Sequence, residues 1–194
     1  MKRFYAVFLS VFVSICVTAQ EAVWNLDFDV RAYNFEYEKM PVGTSKTLFG
    51  LYLAPTIGFG WGENSLHSVN VGADILTNFG NPGEERYKGT LLAYYRLNGE
   101  NHKVMAGIFP AGDAYDDYPT ALISDEKRFM DRSIEGVKYL YTCESGYFKA
   151  MLDVPLWQDN YMSEIITLYM STQWKISGLR LGLFFDMNHY AYDI

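Results

Sequence analysis

Hydrophobic and polar residues alternate with a period of two along most of the chain after residue 20. Within 24–30, Trp24, Leu26 and Phe28 interleave with polar residues. Such alternation is typical of a β-strand whose two faces meet different surroundings. The same pattern predicts strands at 49–61, 69–79, 89–97, 103–110, 134–141, 148–154, 166–174 and 179–187. We therefore predict an all-β fold, an antiparallel up-and-down meander or β-barrel of about eight to ten strands, complete or part of a larger barrel.

The lengths of the strands and of their connections favour a membrane barrel. Strands of soluble proteins usually have about 5–6 residues, whereas a tilted membrane-spanning strand needs about 9–11. The predicted strand at 49–61 is longer than either of these typical lengths. Long and short connections alternate, at 39–46, 62–66, 80–88, 98–102, 111–133, 142–146, 157–162 and 175–178. Outer-membrane barrels show the same alternation of outer loops and periplasmic turns. Aromatic residues near strand ends, such as Phe49 and Trp61, match the expected aromatic girdles.

The first residues have the three parts of a secretory signal. A basic start at Lys2 and Arg3 precedes an apolar stretch, and small residues stand before Gln20. We predict a signal peptide at 1–19, removed after Ala19, and one antiparallel β-barrel domain at 20–194. The predicted location is the cell outer membrane, with the periplasm or secretion as alternatives.

Charge and cysteine content narrow the set of partners. Without Lys2 and Arg3 the chain has 14 basic and 23 acidic side chains, a net charge of −9. Nucleic-acid binding needs a basic surface, so a nucleic-acid partner is not expected. Cys143 is the one cysteine of the predicted mature chain, so no intramolecular disulfide is expected. Nothing in the sequence predicts a cofactor.

Pro55 interrupts the second predicted strand. Proline has no backbone N–H to donate to a neighbouring strand. We therefore expect a β-bulge at this position.

The connection at 111–133 is the longest and carries many charges. Its charged residues are Asp113, Asp116, Asp117, Asp125, Glu126, Lys127, Arg128, Asp131 and Arg132. A connection of this length is often functional. It is either a solvated outer loop or a constriction folded into the lumen, where its charges would filter solutes. The acidic residues lack the ordered ligand spacing of a known calcium loop, so no metal site is predicted.

A second set of polar residues shares the face of the strands opposite the apolar stripe. We predict that this face lines the lumen. Its residues are Asp27, Asp29, Arg31, Asn70, Asp74, Arg96, Lys103, Lys149, Asp153, Arg180 and Asp186. In a wide barrel they would meet water, and in a narrow one they would pair across the interior.

Several short segments carry a resemblance to a known family. They are 53–59, 107–110 (Gly-Ile-Phe-Pro), 117–125, 134–136 (Ile-Glu-Gly) and 188–189 (Asn-His). With these segments, the chain from about residue 48 to 191 resembles uncharacterised outer-membrane β-barrel, porin-like proteins of the Bacteroidetes type. The resemblance implies a truncated or short member of that family and carries over no active-site residues.

Three functions follow from these observations. The first is a porin-like passive channel or structural barrel component, with outer-membrane lipid and small solutes as partners. The second is a soluble periplasmic or secreted β-barrel that binds a lipid or small apolar ligand. The third is an outer-membrane hydrolase, for which the sequence offers Asn188 and His189 beside serines such as Ser163 and Ser171. No nucleophile elbow accompanies them, so we assign no catalytic residue and expect no enzyme.

Overall fold

The computed structural model describes residues 21–35, 46–79, 87–115, 118–119, 122–123, 128, 131–156 and 164–191. The strands are β1 (Glu21–Phe35), β2 (Lys46–Trp61), β3 (His67–Phe79), β4 (Tyr87–Asn98), β5 (His102–Pro110), β6 (Ser133–Cys143), β7 (Gly146–Leu156), β8 (Glu164–Ile176) and β9 (Leu179–Ala191). A 3-10 turn (Glu63–Ser65) follows β2, and a short helix α1 (Ala111–Tyr115) follows β5. In this described part, no helix is long and apolar enough to cross a membrane.

The nine strands form one sheet in which each strand pairs with its neighbours in the chain. The order is β1-β2-β3-β4-β5-β6-β7-β8-β9, and every pair is antiparallel. The prediction of an all-β antiparallel meander is therefore confirmed. Among the described residues β1 and β9 do not pair with each other, so the sheet is not closed into a barrel.

The register assigns each side chain to one of two faces. Directly opposed residues of an antiparallel pair point to the same side of the sheet. Tyr52 and Asp74 lie on one side, which we call the inner face. It also includes Tyr94, Met151 and Ser171. The inner face is largely buried over β2 to β8.

The opposite side, the outer face, exposes rows of large apolar residues. Members spread over the sheet are Trp24, Leu26, Phe28, Ile57, Val71, Leu91, Val137, Leu152, Leu183 and Phe185. Leu91 is 69% exposed and Ile57 is 61% exposed. A face this apolar and this exposed is unusual for a monomer in water and marks an interaction with another apolar phase.

Aromatic rings gather on the outer face at the end of the sheet with the short connections. His67 stacks on Trp61 with ring centroids 5.5 Å apart, and its Nδ1 lies 2.7 Å from the Tyr95 hydroxyl oxygen. Further along the same end, the His102 ring lies 5.0 Å from Tyr141 and 6.1 Å from Tyr139. These rings form a belt from β2 to β6, which we call the turn-end belt.

The proline at position 55 does not produce the predicted bulge. Pro55 faces Leu26 of β1 in unbroken register. On the β3 side the register is the same before and after Pro55, with Leu53 opposite Ile75 and Thr56 opposite Gly72. The prediction was wrong because the strand loses pairs locally at the missing N–H without inserting a residue. The register shift occurs instead between Asp153 and Leu156 of β7, a stretch that includes Pro155.

Gly107 of β5 lies where the backbones of β4 and β5 approach too closely for a side chain. Its φ is +122°, and an added Cβ would lie 2.3 Å from the carbonyl oxygen of Ala93. Gly107→Ala is expected to lower the free energy of unfolding by more than about 2 kcal/mol, because both the dihedral and the contact become unfavourable. Gly112 of α1 has no atom within 4 Å of an added Cβ. Gly112→Ala should therefore change stability by less than about 1 kcal/mol. Denaturant titration of both variants is the measurement, and equal effects would contradict the interpretation.

Candidate functional site

The chain between β5 and β6 folds back onto the inner face. Residues of this β5–β6 segment (111–132) enter a buried cluster with side chains of β4 to β8. From the segment come Ala111, Ala114, Tyr115, Tyr118 and Ile123, and from the sheet come Tyr94, Met105, Phe109, Ile134, Met151 and Tyr169. The described residues of the segment therefore cover the inner face of the sheet, and a constriction inside a lumen stays a prediction.

A buried ion pair attaches the end of the segment to β3. Arg132 Nη1 lies 2.9 Å from an Asp74 carboxylate oxygen, and the Asp74 side chain is completely buried. Arg132 also donates from Nη2 to the Thr90 hydroxyl at 3.1 Å. Its own carbonyl accepts a hydrogen bond of 2.9 Å from the Tyr52 hydroxyl. Three strands, β2, β3 and β4, thus hold a single residue of the segment.

Two further polar contacts fix the segment internally. Tyr115 donates to an Asp131 carboxylate oxygen at 2.6 Å. Burial raises the pKa of Tyr115 well above its ordinary value, and the Asp131 charge adds to the effect, so the phenol stays protonated as a donor. The Arg128 guanidinium donates to the carbonyl oxygens of Tyr115, Tyr118 and Ile123. Each contact replaces water around a backbone or carboxylate group that the fold has buried.

The charged residues predicted for this connection therefore separate into two groups. Arg128, Asp131 and Arg132 stabilise the segment against the sheet. Asp116, Asp117, Asp125, Glu126 and Lys127 lie outside the described residues, as does the side chain of Asp113. A role of any of them in filtering solutes stays a prediction.

The predicted lumen-lining residues share the inner face, where charge is unevenly distributed. Carboxylates lie on β1 and β3, namely Asp27, Asp29 and Asp74, and Asn70 lies further along β3. The predicted cations Arg96, Lys103 and Lys149 lie on β4, β5 and β7, and the carboxylate Asp153 lies on β7. Lys138 of β6, which was not predicted, lies on the same face. Arg180 and Asp186 lie exposed on β9, and the side chain of Arg31 is outside the described part. Whether this face lines a lumen remains a prediction.

One serine of the inner face has the surroundings of a reactive hydroxyl. Ser171 of β8 is 1% exposed, and its Oγ lies 3.2 Å from the hydroxyl of Tyr147. Lys149 is directly opposite Ser171 in the β7–β8 register. The Lys149 Nζ lies 4.7 Å from the centre of the Tyr147 ring. A serine hydroxyl that contacts a phenol, with a lysine on the opposing strand position, offers the residue types that serine–lysine hydrolases use for acyl transfer.

The hydrolase grouping considered from sequence does not assemble. His189 faces Ile166 and lies on the outer face, whereas Ser171 faces Phe184 on the inner face. Asn188 contacts Thr167, whose hydroxyl donates to it at 2.9 Å. Ser163 lies outside the described residues. Adjacent residues of a strand point to opposite faces, which separates His189 from the inner-face hydroxyls.

The comparisons with known proteins identify the family. A family model described as Lipid A 3'-O-deacylase-type matches residues 18–188. The chain belongs to this family. Searches among curated proteins and among solved structures found no match.

Membership of the Lipid A 3'-O-deacylase-type family bears on two expectations from the sequence, the absence of enzyme activity and the porin-like character. The sequence predicted that the protein is not an enzyme, and this was wrong, because the family is named for a deacylase. The porin-like character implied by the resemblance has no support from the family name and stays a prediction. Sequence reasoning did not single out Tyr147, whose hydroxyl contacts Ser171, or Lys138 of the inner face. Lys138 lies in the stretch 134–141, where alternation is weak, and only the register brings Tyr147 beside Ser171.

The Arg132–Asp74 pair gives a direct test of how the segment is held. Asp74→Ala leaves the Arg132 guanidinium without its buried carboxylate and is expected to cost about 3–5 kcal/mol of unfolding free energy. Tyr52→Phe removes one neutral hydrogen bond and should cost about 1 kcal/mol. Urea titration and limited proteolysis between residues 111 and 132 measure the two effects. An Asp74→Ala protein as stable and as protease-resistant as the parent would contradict the anchoring role.

Proposed function

We propose that this protein is an outer-membrane esterase that removes an acyl chain from a lipid A-type glycolipid. The Ser171 hydroxyl, which lies 3.2 Å from the Tyr147 hydroxyl on a residue directly opposite Lys149, carries the proposal. The family description supports the reaction class. The outer face supports the location.

The dimensions of the outer face suit a bilayer. Phe49 and Phe79 form a ring pair, 5.4 Å apart, at the end of the sheet opposite the turn-end belt. Phe49 and Trp61 lie twelve residues apart on β2. At about 3.3 Å per residue and a tilt of about 40°, the two aromatic levels are about 30 Å apart along the membrane normal. That distance is close to the roughly 30 Å thickness of the hydrocarbon core.

The distribution of burial favours a membrane over a soluble lipid-binding barrel. A soluble barrel would cover its apolar face and expose its polar one. Here the β5–β6 segment covers the polar inner face, and the apolar outer face is exposed. Lipid is the surrounding that suits this arrangement, so outer-membrane lipid is the proposed partner.

Two neighbouring phenylalanines of β9 test the membrane placement. Phe185 and Phe184 are 49% and 48% exposed, but Phe185 lies on the outer face and Phe184 on the inner face. In lipid vesicles Phe185→Arg should cost about 2–4 kcal/mol, because the charge enters hydrocarbon. Phe184→Arg should cost much less. Equal costs in a bilayer unfolding titration would show that the outer face does not meet lipid.

The proposed reaction uses Ser171 as the nucleophile. Its Oγ attacks the ester carbonyl carbon, and its proton passes through the Tyr147 hydroxyl to Lys149, which acts as an uncharged amine. The alkoxide of the glycolipid leaves and takes up a proton, which leaves an acyl-serine. Water then attacks the acyl group, regenerates Ser171 and releases the fatty acid. Because Ser171 is 1% exposed, an ester reaches it only after neighbouring side chains move aside.

The position of Ser171 in the sheet suits a lipid substrate. β8 is one strand from β9, which pairs on one side only among the described residues. A substrate from the bilayer could therefore approach the inner face around β9 instead of crossing the covered part of the sheet.

Substitution of Ser171 tests the catalytic assignment. Ser171→Ala should lower the rate of fatty-acid release from a lipid A-type glycolipid by about a thousandfold or more, because the nucleophile is lost. Lys149→Met should also lower it strongly. Mass spectrometry of the released acyl chains is the measurement, with the full chain in detergent micelles.

Ser68 provides a matched control for this experiment. It is a buried inner-face serine of β3 whose hydroxyl accepts a hydrogen bond of 2.9 Å from Asn70. Ser68→Ala should leave the rate unchanged. Full activity of Ser171→Ala would reject Ser171 as the nucleophile, and no release by the parent protein would reject the esterase function.

A porin-like passive channel is the second candidate function. The mixed charges of the inner face favour it, since they would meet water in an open channel. The buried cluster of the β5–β6 segment over β4 to β8 opposes it.

A further inference from the structure

A cavity at the turn end of the inner face is lined by three cations. It has a volume of about 230 Å³ and lies over β4, β5 and β6. Arg96, Lys103 and Lys138 line it together with Asn98 and four apolar residues, of which Met105 and Leu140 belong to the inner face. No lining residue carries a carboxylate. At about 30 Å³ for each water, the space holds roughly seven water molecules, enough for a partly hydrated oxyanion.

The register explains why the three cations converge. Arg96 and Lys138 both lie opposite Met105, one on each side of β5. Lys103 lies two residues from Met105 on the same face, opposite Asn98 and Leu140. Diagonal neighbours in a sheet are about 7–8 Å apart, and strands two apart are separated by about 10 Å. Side chains as long as arginine and lysine can therefore bring all three charges to one group between them.

Burial makes this grouping significant. Lys138 is 7% exposed, and the Arg96 guanidinium lies 5.5 Å above the centre of the Tyr94 ring. Like charges held close together on a sheet are destabilising. An anion in the cavity would reduce the repulsion among the three cations.

We propose that this cavity binds a phosphate group, supplied either by a free phosphate ion or ester or by a lipid headgroup. Arginine forms paired hydrogen bonds with phosphate oxygens, and lysine contributes point charges to the same oxygens. The Asn98 amide adds a neutral donor. The apolar walls at Met105 and Leu140 accommodate an uncharged part of the ligand. This binding does not depend on the proposed ester hydrolysis.

Binding of inorganic phosphate to the full chain in neutral detergent micelles tests the site. Isothermal titration calorimetry should detect binding that chloride at the same ionic strength does not reproduce. Lys138→Met and Lys103→Met should each weaken binding about tenfold or more, because each removes a charge-assisted contact. Lys103 is exposed, so its variant keeps the test valid if Lys138→Met fails to fold.

Arg180→Gln is the matched control, since Arg180 is an exposed inner-face cation of β9 outside the cavity. It should leave phosphate binding unchanged.

The second probe is a micelle containing phosphatidic acid, compared with one containing phosphatidylcholine. Binding of both phosphate probes that depends on Lys103 supports a site open to free phosphate. Such binding by phosphatidic acid alone supports a lipid headgroup as the source. Absence of binding by both probes, or equal weakening by Arg180→Gln, would overturn the proposal.

Discussion

The division of the sheet into two chemically different faces depends on the period-two geometry of an antiparallel strand. A residue on a paired strand points to the face of the residue opposite it, and its neighbours in the chain point away. Register shifts occur in only one described strand pair, β7–β8, where Asp153 and Leu156 straddle an irregularity. The two faces therefore stay separate across the sheet. The outer face is apolar, as a lipid-facing surface would be, and the inner face holds the polar and charged side chains.

The inner face needs a cover of its own because buried charges are costly without partners. The β5–β6 segment provides it. Arg132 pairs with Asp74 and contacts Thr90, Arg128 binds three carbonyls of the segment, and Tyr115 donates to Asp131. Apolar groups such as Ile123 and Tyr118 fill the space between these contacts. The ion pair and hydrogen bonds of the segment, together with its packed apolar side chains, allow the charged inner face to be buried.

Sequence predicted the strands well because alternation is a local signal. The prediction at 166–174 lies inside β8 (Glu164–Ile176), and that at 179–187 inside β9 (Leu179–Ala191). The position of the β5–β6 segment depends on contacts between distant residues, such as Tyr52 with Arg132, eighty positions apart. No pattern within the segment encodes such a partner. The same limit explains why the contact of Tyr147 with Ser171, and the position of Lys149 opposite it, were not predicted. The family description alone corrects the expectation that the protein is not an enzyme.

The two proposed sites of the inner face lie in one row of the sheet. Lys103 faces Leu140, Leu140 faces Lys149, and Lys149 faces Ser171. Three steps between strands, at about 4.8 Å each, separate Lys103 from Ser171 by about 14 Å. A phosphate bound near Lys103 and an ester at Ser171 could thus belong to one amphiphile only if its phosphate and ester are about that far apart. A shorter phosphorylated ligand would reach the cavity but not Ser171. Phosphate binding and ester hydrolysis would then be two separate functions of the same row.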